Sequence, residues 1–315
     1  MSGAAAPPSP GTFHNPDHDF RGAYVSLEAM LSLRVGPFTQ PRSSRERSRS
    51  SGQRESHLRG RGIDFAEVRA YQPGDDVRTI DWRVTARKNK PHTKVFREER
   101  ERPTLIYVDQ TRSLFFGSRR RLKSVAAAEL AARLAWRCLD AGDRVGGLVS
   151  GTSGSSSQKP LHNARAVARF LAEVAEHNQA LSRDAAVTPS ARLESDLLRL
   201  RHLARSQHRV YLISDFLPAA AFWTANLQAL AARNDVAVAH IVDPLEALLP
   251  IRDRFVVTDG RQRLTFDGQS ARARNDYADR FAQHCEQLAD QCRRLGVPYR
   301  QISTDEQIDL NRMHF

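Results

Sequence analysis

Cysteine, methionine and tryptophan occur only three times each in the 315 residues, and aromatic residues make up 7% of the chain. The cysteines, Cys138, Cys285 and Cys292, are odd in number and lack zinc-type spacing. That excludes a disulfide framework and a cysteine zinc site, and leaves reduced structural thiols. No apolar run approaches the roughly 20 residues that a membrane-spanning helix needs, so no integral membrane segment is expected. Met1 to Phe20 is rich in Ala, Pro and Ser and lacks a basic segment followed by an apolar core. No signal peptide is read there, and the expected compartment is the cytoplasm. Gly151 to Ser157 reads as a Gly/Ser loop without the Gly-Lys-Ser/Thr ending of a phosphate-binding loop. The eleven histidines are scattered, with neither metal-ligand nor nucleophile–base spacing. No catalytic constellation emerges, so a non-enzymatic protein is expected.

Positive charge, by contrast, is abundant. The net charge is +12 and the isoelectric point near 10.3, which favours anionic partners: nucleic acid, anionic lipid or acidic protein surfaces. Part of the excess lies in Gln40 to Gly62, a low-complexity Arg/Ser/Gly stretch that reads as a solvated linker or an anion-binding arm. The chain divides into a disordered lead (1–22), a short amphipathic helix behind a Ser26 cap (23–39), the linker (40–59), a charged module (60–102) and an α/β domain (103–315).

The α/β domain is organised around Pro103 to Ser113. Thr104 to Val108 is a short apolar run of the kind that forms a central strand buried on both faces. It stops at Asp109, with hydroxyls following at Thr111 and Ser113, where open α/β sheets place their ligands. Such oxygen donors suit a hard cation, and the same residues also fit a plain turn and helix-cap cluster. Helices are expected over Arg121–Ala141, Ala164–His177, Leu193–Arg205, Phe222–Ala232 and Ala271–Leu295. Strands are expected over Arg144–Ser150, Arg209–Ser214, Val236–Val242 and Pro298–Ile302, with a hairpin around Asp259-Gly260. The alternation predicts a doubly wound, mostly parallel sheet. In strand order 3-2-1-4-5-6, the strands ending at Asp109 and Asp215 are neighbours, so Asp215 joins the same crevice or serves only to cap the helix after Pro218.

The module from Gly60 to Arg102 sets paired charges among aromatic and β-branched residues. Pro73-Gly74 is a turn, a short helix is expected from about Asp75 to Arg87, and Thr93 to Arg100 reads as extended. Its candidate partner-binding residues are Arg61, Asp64, Glu67, Arg69, Asp75, Asp76, Arg78, Asp81, Trp82 and Arg87. Spacing alone leaves open whether they bind a partner or form structural ion pairs that also involve Arg83.

The string from Gly60 to Arg87, followed by Phe96 to Arg100 and then Asp109-x-Thr-x-Ser113, resembles the bacterial family catalogued as domain of unknown function 58. The resemblance covers Ser26 to the C-terminus. It implies a von Willebrand factor A type (Rossmann-like) domain with a metal-ion-dependent adhesion site, a partner in a MoxR-type AAA+ ATPase, and other von Willebrand A proteins as further partners. It carries Mg²⁺ or Mn²⁺ ligation to Asp109, Thr111 and Ser113, and to Asp215. Thr111 stands where the pattern usually has Ser. Thr188 and Ser190 lie near the place of a further Thr ligand without matching its spacing. The expected function is a metal-dependent protein-binding adaptor in protein maturation or assembly. The alternative is a basic, sequence-nonspecific nucleic-acid-binding protein; a third reading, a hydrolase using Asp109 and Asp215, lacks a general base.

Overall fold

The structure, a computed structural model, describes residues 20–34, 63–73, 75–98, 102–182, 187–217, 220–248, 251, 254–258, 263–267 and 269–313. The linker 40–59, Arg61 and most of the lead lie outside them. The chain forms two units, Met1–Phe38 with Arg102–Phe315, and Thr39–Glu101. In chain order the first elements are α1 (Leu27–Ser32), β1 (Ile63–Ala70), α2 (Trp82–Lys88), β2 (His92–Glu98), β3 (Pro103–Gln110), α3 (Lys123–Asp140), β4 (Arg144–Gly151) and β5 (Ser155–Leu161). Then come α4 (Ala164–Gln179), α5 (Ser190–Leu203), β6 (Arg209–Ser214), α6 (Ala220–Ala231), β7 (Asp235–Val242), α7 (Pro244–Ala247), β8 (Arg254–Thr258), β9 (Arg263–Asp267), α8 (Ala271–Leu295) and β10 (Tyr299–Ser303).

The larger unit is a mixed α/β fold around a six-stranded sheet of order β10-β7-β6-β3-β4-β5. That is the expected 3-2-1-4-5-6 arrangement, parallel except where β5 pairs antiparallel with β4. β3 is central and buried from Thr104 onward, and its side chains alternate between two cores. Ile106 and Val108 pack with α1, α3 and α4; Leu105 and Tyr107 pack with residues of α5, α6 and α8. The continuous apolar run is therefore the mark of a strand covered on both faces.

The N-terminal segment belongs to this unit. Ser26 caps α1 by accepting from the Ala29 N–H, Val25 N–H donates to Asn178 Oδ1 at 2.8 Å, and Trp136 Nε1 donates to the Met30 carbonyl at 3.0 Å.

Two local expectations change. Gly151 to Ser157 is not a loop. β4 turns through residues 152–154 into β5, and Gly151 N–H donates to the Gly154 carbonyl at 2.8 Å. β5 carries no apolar alternation because it is an edge strand whose inward side chains make polar contacts to α4. Ser156 Oγ meets His177 Nε2 at 2.9 Å, and Gln158 Nε2 donates to the Ala166 carbonyl at 2.8 Å. The β8–β9 pair forms the expected hairpin, whose turn lies outside the described residues.

In the smaller unit, β1 pairs antiparallel with β2, with an irregularity between Phe65 and Glu67. That bulge breaks the period-two alternation of β1, which is why no strand is legible there from pattern alone. The single helix expected from Asp75 to Arg87 is also divided. Asp76 caps a 3-10 turn over Val77–Thr79, Ile80 is extended, and Asp81 caps α2 by accepting from the backbone of Arg83 and Val84. Two Asp side chains thus hold the backbone in short capped turns instead of one continuous helix.

Candidate functional site

β3 and β6 lie side by side in parallel register from Thr104↔Arg209 to Val108↔Ile213, so their carboxyl ends open onto one crevice. Asp109 is 2% exposed at the end of β3. Its Oδ1 accepts from the Thr111 N–H at 2.9 Å and its Oδ2 from Ser214 Oγ at 2.6 Å. Thr111 stands at the start of a 3-10 turn, Arg112–Leu114, and its Oγ1 lies 3.2 Å from Ser113 Oγ. Asp109, Thr111 and Ser113 are therefore one hydrogen-bonded cluster, joined from the neighbouring strand by Ser214.

Asp215 follows β6 directly and has a separate commitment. Lys123, 1% exposed, donates to Asp215 Oδ2 at 3.0 Å and to Glu246 Oε1 at 2.6 Å. Glu246 is held by a capping box. Asp243 accepts from Leu245 N–H at 2.9 Å, and Glu246 reaches back to Asp243 N–H at 2.8 Å. Next to Asp215, Phe216 adopts a left-handed backbone with φ of 57°. A bulky aromatic residue rarely does so, and such strain persists only where its surroundings fix it. Here Phe216 N–H donates to Ser214 Oγ at 3.0 Å, and the buried ring packs edge-on against Trp223 and His240. The sharp turn buries the ring while the preceding carboxylate reaches Lys123.

The electrostatics separate the two carboxylates. Burial, and then the charge of Asp215, push the Asp109 carboxyl up to about 6, against the hydrogen bonds from Ser214 and Thr111. Burial also opposes the charged form of Lys123, but the carboxylates of Asp215 and Glu246 outweigh it and raise its pKa. His240, buried and beside His284, is pushed down to about 3 and is neutral. Asp215 thus shares an internal counter-ion with Glu246, whereas among the described residues Asp109 has no ion pair. Below Asp109, burial and then the charge of Asp109 hold the Tyr107 hydroxyl well above its ordinary pKa.

The donor set fits a hard cation in part. One carboxylate and two adjacent hydroxyls, Asp109, Thr111 and Ser113, supply oxygen ligands, and water would complete the shell. Among the described residues no group of three or more His, Cys, Asp or Glu converges as a metal cage. Ahead of α5, Thr188 Oγ1 is buried without a hydrogen-bond partner among the described residues, whereas Ser190 is exposed. α5 itself is fastened to the end of β4: Ser150 Oγ donates to Asp196 Oδ2 at 2.6 Å, and Arg192 Nη1 donates to the Thr152 carbonyl at 2.6 Å.

Sequence reasoning missed Lys123, Ser214 and Glu246. Lys123 had a signal, because a lysine in the first turn of an Ala/Leu-rich helix opposes the helix dipole and, once buried, needs an acidic partner. Asp243-Pro-Leu-Glu246 is a legible helix start, but nothing local says that it faces Lys123.

In the smaller unit, Arg69 Nη2 donates to Asp75 Oδ1 at 2.7 Å, and Asp75 Oδ2 accepts from Gln72 N–H at 2.9 Å. The hydrogen bond from Arg69 holds the Asp75 carboxyl below its usual range. Asp76 and Asp81 cap turns, Asp64 stands opposite Arg97 and Glu67 opposite Val95 in the β1–β2 register, and Arg78 and Arg87 are exposed. Trp82 is 70% exposed.

A family model described as "Protein of unknown function DUF58" matches residues 67–287. An uncharacterized protein of Mycobacterium tuberculosis, Rv1480, is 32% identical over 253 residues, which cover 78% of this chain and 76% of the relative. Mb1516 of Mycobacterium bovis, also uncharacterized, matches to the same extent. Among solved structures, the conserved hypothetical protein BatB from Bacteroides thetaiotaomicron aligns with a TM-score of 0.39 and 15% identity over 64% of this chain and 89% of that one, too slight a likeness to bear on function.

Proposed function

The chain belongs to the DUF58 family, and we propose that it is a non-enzymatic protein-binding adaptor whose crevice takes Mg²⁺ or Mn²⁺ on Asp109, Thr111 and Ser113. The observation that carries this is the imbalance at the carboxyl edge of the sheet. Asp215 shares the Lys123 ammonium with Glu246, while Asp109, buried beside two hydroxyls, has no cation of its own among the described residues. A divalent cation there supplies the missing charge and keeps an open position for an acidic side chain of a partner. Asp215 acts in this reading by anchoring Lys123, not by ligating.

A von Willebrand A type domain is the finer fold assignment that suits this crevice, and a MoxR-type AAA+ ATPase is the proposed partner, by resemblance. Among the described residues no helix is long and apolar enough to cross a membrane. The test is a nuclease-treated affinity pull-down with wild type in Mg²⁺, wild type in EDTA, and Asp109→Ala in Mg²⁺. A partner recovered only in the first sample supports the adaptor; equal recovery in all three removes it.

A further inference from the structure

The α2 helix presents an exposed face that the crevice does not involve. Trp82, Arg83, Ala86 and Arg87 are exposed and share one side of the helix by their i, i+4 spacing, while Val84 and Thr85 are partly buried on the other. Trp82 is 70% exposed and Val77, five residues earlier, 62%. The other two tryptophans, Trp136 and Trp223, are buried.

The acids nearby are committed. Asp75 is bound by Arg69, Asp76 caps the 3-10 turn and Asp81 caps α2. Arg78, Arg83, Arg87, Lys88 and Lys90 have no carboxylate partner among the described residues. On α2 an exposed indole therefore shares its face with the unpaired cations Arg83 and Arg87. Tryptophan and arginine are the residues on which binding energy concentrates at protein interfaces, and the charge calls for an acidic surface opposite.

We propose that this face of α2, Trp82 with Arg83 and Arg87, docks an acidic protein partner that offers an apolar pocket to the indole. Protein is favoured over nucleic acid by the local balance. Residues 63–98 contain eight Lys or Arg against six Asp or Glu, a net of +2 in a chain of +12. A phosphate backbone is bound by concentrated positive charge, which so small a local excess does not supply.

The test places the photo-crosslinker p-benzoylphenylalanine at Ala86 of the full chain, leaving Trp82 intact, and irradiates it in extract of the source cells with EDTA present. The EDTA separates the outcome from that of the metal crevice. The expected adduct is protease-sensitive and nuclease-resistant. Its yield falls about tenfold or more in Trp82→Ala and in Arg83→Glu/Arg87→Glu, weakens with salt, and is unchanged in Arg294→Glu on α8. Circular dichroism should show all variants folded, since the altered side chains are exposed. No adduct, a nuclease-sensitive adduct, or a yield indifferent to Trp82→Ala would overturn the proposal.

Discussion

At the carboxyl edge of the six-stranded sheet, Lys123 is 1% exposed between Asp215 and Glu246, residues 92 and 123 positions away. In the smaller unit, Arg69 and Asp75 pair six residues apart, with their side chains 37% and 20% exposed. The smaller unit has the denser charge in sequence and the crevice the sparser, yet the crevice charges are the desolvated ones. An exposed pair exchanges little with water on forming. A buried one is strongly coupled, because each member left alone is a charge in a low-dielectric site. The contrast explains why the two regions are read differently: the crevice as a place where charge is stored for a ligand, α2 as a surface that presents it.

The largest effect should come from breaking the buried side. Lys123→Met leaves Asp215 and Glu246 without their ammonium and should cost about 3–5 kcal/mol, read as a fall in the urea midpoint. Asp109→Asn should do the opposite in EDTA. Because the folded carboxyl is raised to about 6, the wild type loses stability as pH rises through that value, by about 2–3 kcal/mol once Asp109 is ionised. The variant should therefore be the more stable protein at pH 8, and its advantage should vanish near pH 4, where both forms are neutral. Melting both proteins across that range checks the sign. Asp81→Ala removes the α2 cap and should cost about 1 kcal/mol, localised by faster amide exchange in α2. Arg69→Met, at the exposed pair, should leave the urea midpoint unmoved; a large fall there would erase the contrast.

Much of the larger unit was legible because burial writes itself into the local pattern. Thr104 to Val108, Arg209 to Ser214 and Val236 to Val242 read as strands, and their order put Asp109 and Asp215 at one edge. β5 was not legible, since an edge strand of serines facing α4 has no apolar alternation. The pairing of Lys123 with Asp215 and Glu246 could not be read either, because it arises only where α3, the end of β6 and the start of α7 meet. In the smaller unit the positions of the charges were evident, but not that Asp76 and Asp81 serve as caps, since the same residues fit a continuous helix until the backbone is seen to break at Ile80.

The most direct measurement is a Mn²⁺ titration of the full chain by electron paramagnetic resonance, beside Asp109→Asn and Ser113→Ala. One saturable ion per wild-type chain, displaced by Mg²⁺ and weakened about tenfold or more in both variants, is the predicted result. No saturable binding by the wild type, or binding unaltered by either substitution, would contradict the claim that Asp109 and its neighbouring hydroxyls hold a cation.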